Sequence, residues 1–426
     1  MIRRPLAKAL LGSAIASKDG FNPFRFFRSF KKILKESLIA ICICIVGDLF
    51  AGILLGQITL FLEILPGLIV LIPGAIGMRG NIFGALGSRL STNLHIGIIE
   101  PEWKGSIALS ENVKSAVILT LILSIFLAFA SKGICTLLGV ESISLVGFLI
   151  ISLVAGILSA LFLVPTTIFV AVKSFKGGWD PDNVTTPIIA ATGDLFALPS
   201  IVIGAVLYLY LRSFNMDLLF CIILIVICLV FIVVTLVFHS SEEIERIIKQ
   251  SIPVLFVCSC LGTLTGSVLD NQLESILVNP VILTLVPLFS GESGNLVSIV
   301  SARLSSILHF GCIEPNLSAS VSTENLKIMG SLALIVYPLI GAMVWLASFV
   351  LGYATVGLGV LVCISVVAGL ILTPVIFLIS FYLSTESYKH GLDPDNIVIP
   401  ISTSLTDPLA TGVLVLVVGL LFGFIF

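Results

Sequence analysis

The chain has 426 residues, of which 58% are hydrophobic and only 11% charged, and its mean hydropathy is +1.20. Soluble domains carry about 25% charged residues, so this composition excludes an ordinary soluble domain and indicates a polytopic membrane protein. The net charge of −2 gives no overall positive charge for binding phosphates, so we expect no nucleic-acid partner.

The first 36 residues hold nine of the 22 Lys and Arg residues, and we interpret them as a basic cytoplasmic arm. Eleven apolar stretches follow, each long enough for a membrane-spanning helix. They lie near residues 37–60, 64–98, 113–138, 144–172, 186–211, 217–239, 251–270, 278–310, 328–352, 358–383 and 397–425. Pro and Gly interrupt the second and eighth, which are too long for one straight span. This pattern predicts broken helices beside a cavity.

Two blocks of sequence occur twice in the same order. Residues 71–101 align without gaps to 285–315 at an offset of 214, with 14 of 31 positions identical. Residues 178–199 align to 391–412 at an offset of 213, with nine of 22 positions identical. The sequence therefore predicts a tandem duplication of a five-helix unit.

The number of spans sets the relative orientation of the two repeats. Five spans would leave directly joined repeats facing opposite ways, but the extra apolar run 217–239 adds one crossing and makes them parallel. We predict an all-α polytopic membrane protein with a pseudo-two-fold axis along the membrane normal. Its predicted parts are the arm 1–36, a first repeat 37–212, a linker 213–250 with one transmembrane helix, and a second repeat 251–426.

The positions of the basic residues predict the topology in the cell membrane. With a cytoplasmic N-terminus, the segments facing the cytoplasm hold 17 of the 22 Lys and Arg residues, and the outer segments hold only Lys132 and Arg212. Because basic residues favour the cytoplasmic side, we predict a cytoplasmic N-terminus and an external C-terminus.

One aspartate lies well inside the fifth predicted helix of each repeat, Asp194 in the first and Asp407 in the second. At 1.5 Å per residue both lie about 12–16 Å deep, near mid-membrane. An acid there costs at least about 2.5 kcal/mol and usually faces a cavity or a partner. Two facing carboxylates repel unless a proton or a cation lies between them, so the pair predicts a central cation site. The alternative is a structural pair that caps helices or bonds neighbouring hydroxyls.

Other oxygen donors accompany the two aspartates. Asn81 and Asn295 follow a glycine in the second span of each repeat, and Thr192, Thr403 and Thr406 lie close to the aspartates in sequence. Asn offers a neutral oxygen to an ion, or ties down free backbone groups. Oxygen-only ligands favour hard ions such as Mg²⁺ or Ca²⁺, so we predict these five residues as the rest of the metal site.

The sequence DPDN precedes each aspartate, at residues 180–183 and 393–396. Asp-Pro at a helix start with Asn shortly after is ordinary turn and cap chemistry. A compatible second interpretation is a cytoplasmic mouth that concentrates cations. The carboxylates concerned are Asp180, Asp182, Asp393 and Asp395.

Charged residues of the second span give two further expectations. Arg89 and His95 recur in the second repeat, and their spacing favours interhelical ion pairs or interfacial anchors over a zinc site. Arg79 and Glu292 belong to the part of the span where the two repeats differ. One hypothesis is that these two residues contact each other across the axis.

The combined pattern resembles the MgtE-type magnesium transporters. It consists of a proline before Gly-Asn, then Arg and G-x-x-E, and DP…P…T…D on a fifth helix, and it covers roughly 37–212 and 251–426. The duplication is similar to the eukaryotic solute-carrier relatives that fuse two MgtE-like units. The resemblance implies a pore on the shared axis, Mg²⁺ as the transported ion, and a central site to which Asp194 and Asp407 contribute. Ala190-Ala191 departs from the Thr-Thr of the family, so the ion preference stays open.

Three functional interpretations of the sequence are considered. The sequence favours a divalent cation transporter or channel, not an enzyme. A cation exchanger coupled to Na⁺ or H⁺ is second, because GESGN at 291–295 resembles the repeats of such exchangers, although those repeats are inverted. An intramembrane metal-dependent enzyme is less favoured, because one catalytic site seldom needs every acid twice. The expected partners are divalent cations and membrane lipid. A chain that contains both units can act as a monomer.

Overall fold

The computed structural model describes residues 23–57, 64–100, 106–238, 241–278, 280–309, 319–350 and 357–425. These residues form eleven α-helices, and no strand occurs among them. In chain order the helices are α1 (Pro23–Gln57), α2 (Leu68–Ile96), α3 (Ile107–Leu138), α4 (Leu145–Lys176), α5 (Pro181–Ser213), α6 (Asp217–Phe238), α7 (Glu242–Val278), α8 (Pro280–His309), α9 (Ala319–Val350), α10 (Leu358–Lys389) and α11 (Pro394–Ile425). The predicted all-α fold class is confirmed.

The helices are those of a multi-pass membrane protein. Nine of them, in the part of the chain described above, are long and apolar enough to cross a membrane. The other two, α1 and α8, have 35 and 30 residues and fall on the first and eighth predicted stretches. The linking helix α6 exposes Val226, Val230 and Val233, as expected of a helix that faces lipid. Residues 1–22 of the predicted arm lie outside the described residues, and residues 23–36 belong to α1.

The prediction of broken second and eighth spans is wrong, because α2 and α8 are continuous over their described lengths. A turn that ends at Gly67, where φ is +77°, precedes α2, so the first residues of the apolar stretch are not part of this helix. The helix ends at Gly97, where φ is +74°. Its 29 residues span about 44 Å, and a helix longer than the hydrocarbon layer is accommodated by tilting or by extending beyond it.

The first helix of each repeat packs against the other half of the chain. Helix α7 contacts α2 and α3, and it contributes Ile247 and Leu255 to the apolar core of the first half. Helix α1 contacts α8 and α9, and it contributes Ile33 and Ile41 to the core of the second half. Each also contacts the fifth helix of its own repeat. The repeats are therefore interlocked through exchanged first helices.

Replacing Gly262 with Ala should destabilise the protein by about 1–3 kcal/mol, the usual cost of overpacking. A Cβ atom at Gly262 on α7 would lie 2.7 Å from the Cα atom of Gly74 on α2, so one backbone must move. Gly133→Ala on α3 is the matched control, since nothing lies within 4 Å of its added methyl group. Thermal unfolding of the purified proteins in detergent measures the difference. Equal melting temperatures for the two variants would contradict the exchanged packing.

Candidate functional site

The fifth helix of each repeat begins at the proline of DPDN, before the predicted starts at 186 and 397. Asp180 caps α5 by accepting a hydrogen bond from the backbone N–H of Asp182 at 3.1 Å. Asp393 accepts the equivalent bond from the N–H of Asp395 at 3.1 Å. The predicted turn-and-cap role is confirmed. The helices start early because Pro is well suited to the first helical position after such a cap.

Asp194 and Asp407 lie on corresponding helices of the two halves, α5 and α11. Each lies 13 residues after its helix-starting proline (194 − 181 and 407 − 394), or about 20 Å along the helix. They are close enough for their charges to interact. The hydroxyl of Ser290 on α8 donates a hydrogen bond to Asp407 at 2.8 Å. Asp407 is exposed.

Two further carboxyls adjoin Asp194, and neither was predicted as part of the site. Asp48 on α1 interacts electrostatically with Asp194 and with Glu292. Glu292 on α8 is fully buried and accepts a hydrogen bond from the predicted ligand Asn295 at 3.1 Å. The equivalent of Asp48 at an offset of 214 is Gly262, so a search for duplicated acids passes over it. A search for any acid inside a predicted span would have found it.

Asn81 joins the two halves beside the aspartates. Its amide nitrogen donates to the hydroxyl of Ser404 at 3.0 Å, and its oxygen accepts from the hydroxyl of Thr403 at 2.9 Å. The hydroxyls of Thr192 and Thr406 donate to carbonyl oxygens of their own helices, at 2.6 and 2.7 Å. The structure therefore brings Asn81 and Thr403 together. The hydroxyl protons of Thr192 and Thr406 are used in hydrogen bonds within their own helices.

The hypothesis of an Arg79–Glu292 contact is wrong. Arg79 is fully buried and donates to the carbonyl oxygen of Ala75 at 3.0 Å, one turn earlier in α2. Its two remaining nitrogens make no hydrogen bond among the described residues. Glu292 has Asp48 and Asn295 as neighbours instead.

Two arginines connect the halves near the starts of the fifth helices. Arg89 on α2 donates to the side-chain oxygen of Asn396 on α11 at 2.7 Å. Arg303 on α8 donates to the side-chain oxygen of Asn183 on α5 at 2.8 Å. Each contact runs from one repeat to the DPDN segment of the other, so the pair obeys the pseudo-two-fold symmetry. Arg89 makes interhelical contacts as predicted, but its hydrogen-bond partners are the uncharged side chains of Asn396 and, at 2.8 Å, Asn112, where an ion pair was expected.

The DPDN aspartates also take part in hydrogen bonds. Asp182 accepts from Ser91, and Asp395 accepts from the hydroxyls of Ser88 and Thr92 at 2.7 and 2.9 Å. The side chain of Asp393 forms an ion pair with Arg246 at 3.2 Å. These bonds occupy oxygens that a cation-attracting mouth would need to leave free.

Asp180 belongs to a small cluster with His95 and Asp182, whose ligand atoms lie within 4.8 Å of one another and could hold a metal ion. Burial by itself would raise the pKa of Asp180, but the hydrogen bond and charge of His95 and the charge of Arg303 lower it below its ordinary value. Arg303 lies 3.5 Å from Asp180 and competes with a cation there. The cluster is therefore better explained by ion pairing.

Thr92 and Ser306 mark the pseudo-two-fold axis. These residues are equivalent at an offset of 214, and their hydroxyl oxygens lie 3.5 Å apart. A residue that touches its own symmetry equivalent must lie on the axis. Side chains therefore meet on the axis at the end where the DPDN segments lie.

Comparison with known proteins finds relatives that match most of the chain. The chain is 24% identical over 365 residues to "Solute carrier family 41 member 3" of Rattus norvegicus, covering 82% of this chain and 78% of the relative. It is 28% identical over 452 residues to "Solute carrier family 41 member 2" of Xenopus laevis, covering 95% of this chain and 76% of the relative. The Homo sapiens member 2 is 28% identical over 382 residues, covering 82% and 63%. No solved structure gives a significant match.

A family comparison matches both halves of the chain. The MgtE family, described as divalent cation transporters, matches residues 72–204 and again 286–417. The two matches start 214 residues apart, which is the offset of the internal repeat, and together they cover more than half of the chain. The chain therefore belongs to the MgtE family of divalent cation transporters.

Proposed function

We propose that the chain moves Mg²⁺ along a central pathway between its two repeats, with Asp194 and Asp407 as the main ion site. The observation that carries this proposal is that two equivalent carboxylates, one from each fifth helix, lie close enough for their charges to interact. Neither carboxylate forms an ion pair with Lys, Arg or His in the described parts of the chain. A cation between them would offset the repulsion that this arrangement otherwise costs.

The surroundings of the pair suit a hydrated hard cation. Mg²⁺ gives up its water reluctantly and is usually bound through one or two carboxylates with several waters retained. Asp407 is exposed and so is open to such an ion. Asn81 and Thr403 would lie beside the path as neutral oxygen groups, and the hydroxyls of Thr192 and Thr406 retain lone pairs that can accept from ion-bound water.

The orientation and the subunit organisation belong to the same proposal. A cytoplasmic N-terminus follows from the Lys and Arg distribution and places the DPDN segments on the cytoplasmic side. The interlocked repeats build the whole pathway from one chain, which supports a working monomer. Membership in a transporter family favours ion movement over an intramembrane enzyme.

Flux measurements in proteoliposomes test this function. We expect the purified protein to carry Mg²⁺ down its concentration gradient, measured with a Mg²⁺-sensitive dye inside the vesicles. Ca²⁺, Mn²⁺, Co²⁺ and Zn²⁺ are compared under the same conditions, with and without Na⁺ and H⁺ gradients. Flux that requires a Na⁺ or H⁺ gradient would favour the exchanger. The absence of divalent flux under every gradient, in correctly inserted protein, would contradict the proposal.

A further inference from the structure

We propose that Asp48 and Glu292 form a second cation site, adjacent to the Asp194–Asp407 pair and separate from it. The site would take a hard cation, since only oxygen ligands are present. It is formed by one carboxyl from each repeat. The inference rests on the proposed function only in assuming that ions reach the middle of the protein.

Unpartnered oxygen atoms are the first observation. Both carboxylate oxygens of Asp48 are buried and accept no hydrogen bond from an N–H or hydroxyl group, and the carboxyl group of Glu292 lies within hydrogen-bonding reach. Glu292 is fully buried, and its Oε1 atom is equally without a hydrogen bond, while Oε2 accepts from Asn295 at 3.1 Å. Three buried carboxyl oxygens therefore receive no hydrogen bond from an N–H or hydroxyl group, and a proton or a cation between the two carboxyls would compensate for their burial.

Close packing against glycine is the second observation. A Cβ atom at Gly291 would lie 3.2 Å from Oδ2 of Asp48, so a residue with a side chain at this position would crowd the carboxyl group. Glycine thus allows Asp48 on α1 to approach α8 closely, beside Glu292. The approach brings two acids together, and repulsion between them has to be offset by a proton or a cation.

The asymmetry between the repeats argues against a purely structural role. The contact between α1 and α8 has an equivalent in the other half, between α7 and α2. There the positions of Asp48 and Glu292 are occupied by Gly262 and Met78, at an offset of 214. The same helix pair is therefore built without carboxyls. The packing of this helix pair therefore does not require the two acids, which favours a role in binding a cation, and the site has no symmetric copy.

Counting bound Mn²⁺ by electron paramagnetic resonance tests the site without relying on transport. Protein in nanodiscs is titrated with Mn²⁺, and free ion is read from its six-line spectrum. We expect Asp48→Asn and Glu292→Gln each to bind one Mn²⁺ fewer per chain than the wild type. The double variant should lose no more than either single variant. Glu141→Gln, an exposed loop acid, is the control and should bind as the wild type does.

A second pair of variants separates binding from folding and from the central pair. Asp48→Gly with Glu292→Met installs the residues of the other half, and should fold while lacking the same Mn²⁺. Asp407→Asn should remove a different Mn²⁺, so that its loss adds to that of Asp48→Asn. If Asp407→Asn keeps both its Mn²⁺ and its flux, the proposed function fails while the second site stands.

Unchanged Mn²⁺ binding in Asp48→Asn and Glu292→Gln would overturn the inference. It would mean that the two carboxyls share a proton. A wild type that binds one Mn²⁺, lost equally on replacing Asp48 or Asp407, would also overturn it, because the four acids would then form one site.

Discussion

Asp407→Asn should reduce Mg²⁺ flux at least about tenfold, which corresponds to about 1.4 kcal/mol of lost interaction with the ion. A divalent ion about 8 Å away, across a water shell, interacts with one carboxylate by about 4 kcal/mol at an effective dielectric constant of about 20. Asp194 remains in the variant and compensates in part. The expected loss is therefore smaller than the full interaction, and it is read as the initial rate of dye response in proteoliposomes.

Matched variants show whether the lost negative charge causes the loss of Mg²⁺ flux. Asp194→Asn should lose flux in the same direction, because Asp194 is the equivalent residue of the other repeat. Asp407→Glu keeps the charge and should retain more flux than Asp407→Asn, whereas Glu141→Gln should behave as the wild type does. Size-exclusion profiles in detergent check that each variant is folded. Wild-type flux in Asp407→Asn and in Asp194→Asn would show that the pair is not the ion site.

The repetition in the sequence accounts for what could be predicted. Asp194 and Asp407 could be selected as candidate site residues because each recurs in a second aligned block and lies far inside an apolar helix. The helix starts at Pro181 and Pro394 were missed by several residues, because hydropathy rises only after the polar DPDN segment. Cap chemistry fixes such a boundary better than hydropathy does.

Features that depart from the repetition could not be predicted in the same way. Asp48 and Glu292 face each other although neither has an acidic equivalent in the other repeat. The exchange of α1 and α7 could not be recognised in their own sequences, because an apolar helix surface packs equally well against either half. The continuity of α2 through Gly80-Asn81 is a related case. Tertiary packing on several sides offsets the low helix propensity of glycine.

Cross-linking residues 92 and 306 should stop Mg²⁺ flux completely. Thr92→Cys with Ser306→Cys places two thiols where hydroxyl oxygens now lie 3.5 Å apart, and a disulfide needs sulfurs about 2.05 Å apart after small side-chain rotations. The two residues meet on the axis, so an ion following the axis has to pass between them. A covalent link would hold the two repeats together at this point and keep the pathway closed.

Oxidation and reduction of the same protein sample provide an internal control for the cross-link. Flux through the double-cysteine protein should be absent after oxidation with copper phenanthroline and return after reduction with dithiothreitol. The two single-cysteine variants carry the same nine native cysteines and should keep their flux under the same oxidant. Mass spectrometry of the linked peptides confirms the 92–306 bond. Full flux in protein shown to be cross-linked would mean that the ions do not pass along the axis. The carboxylates of Asp194 and Asp407 would then need another route to the DPDN side.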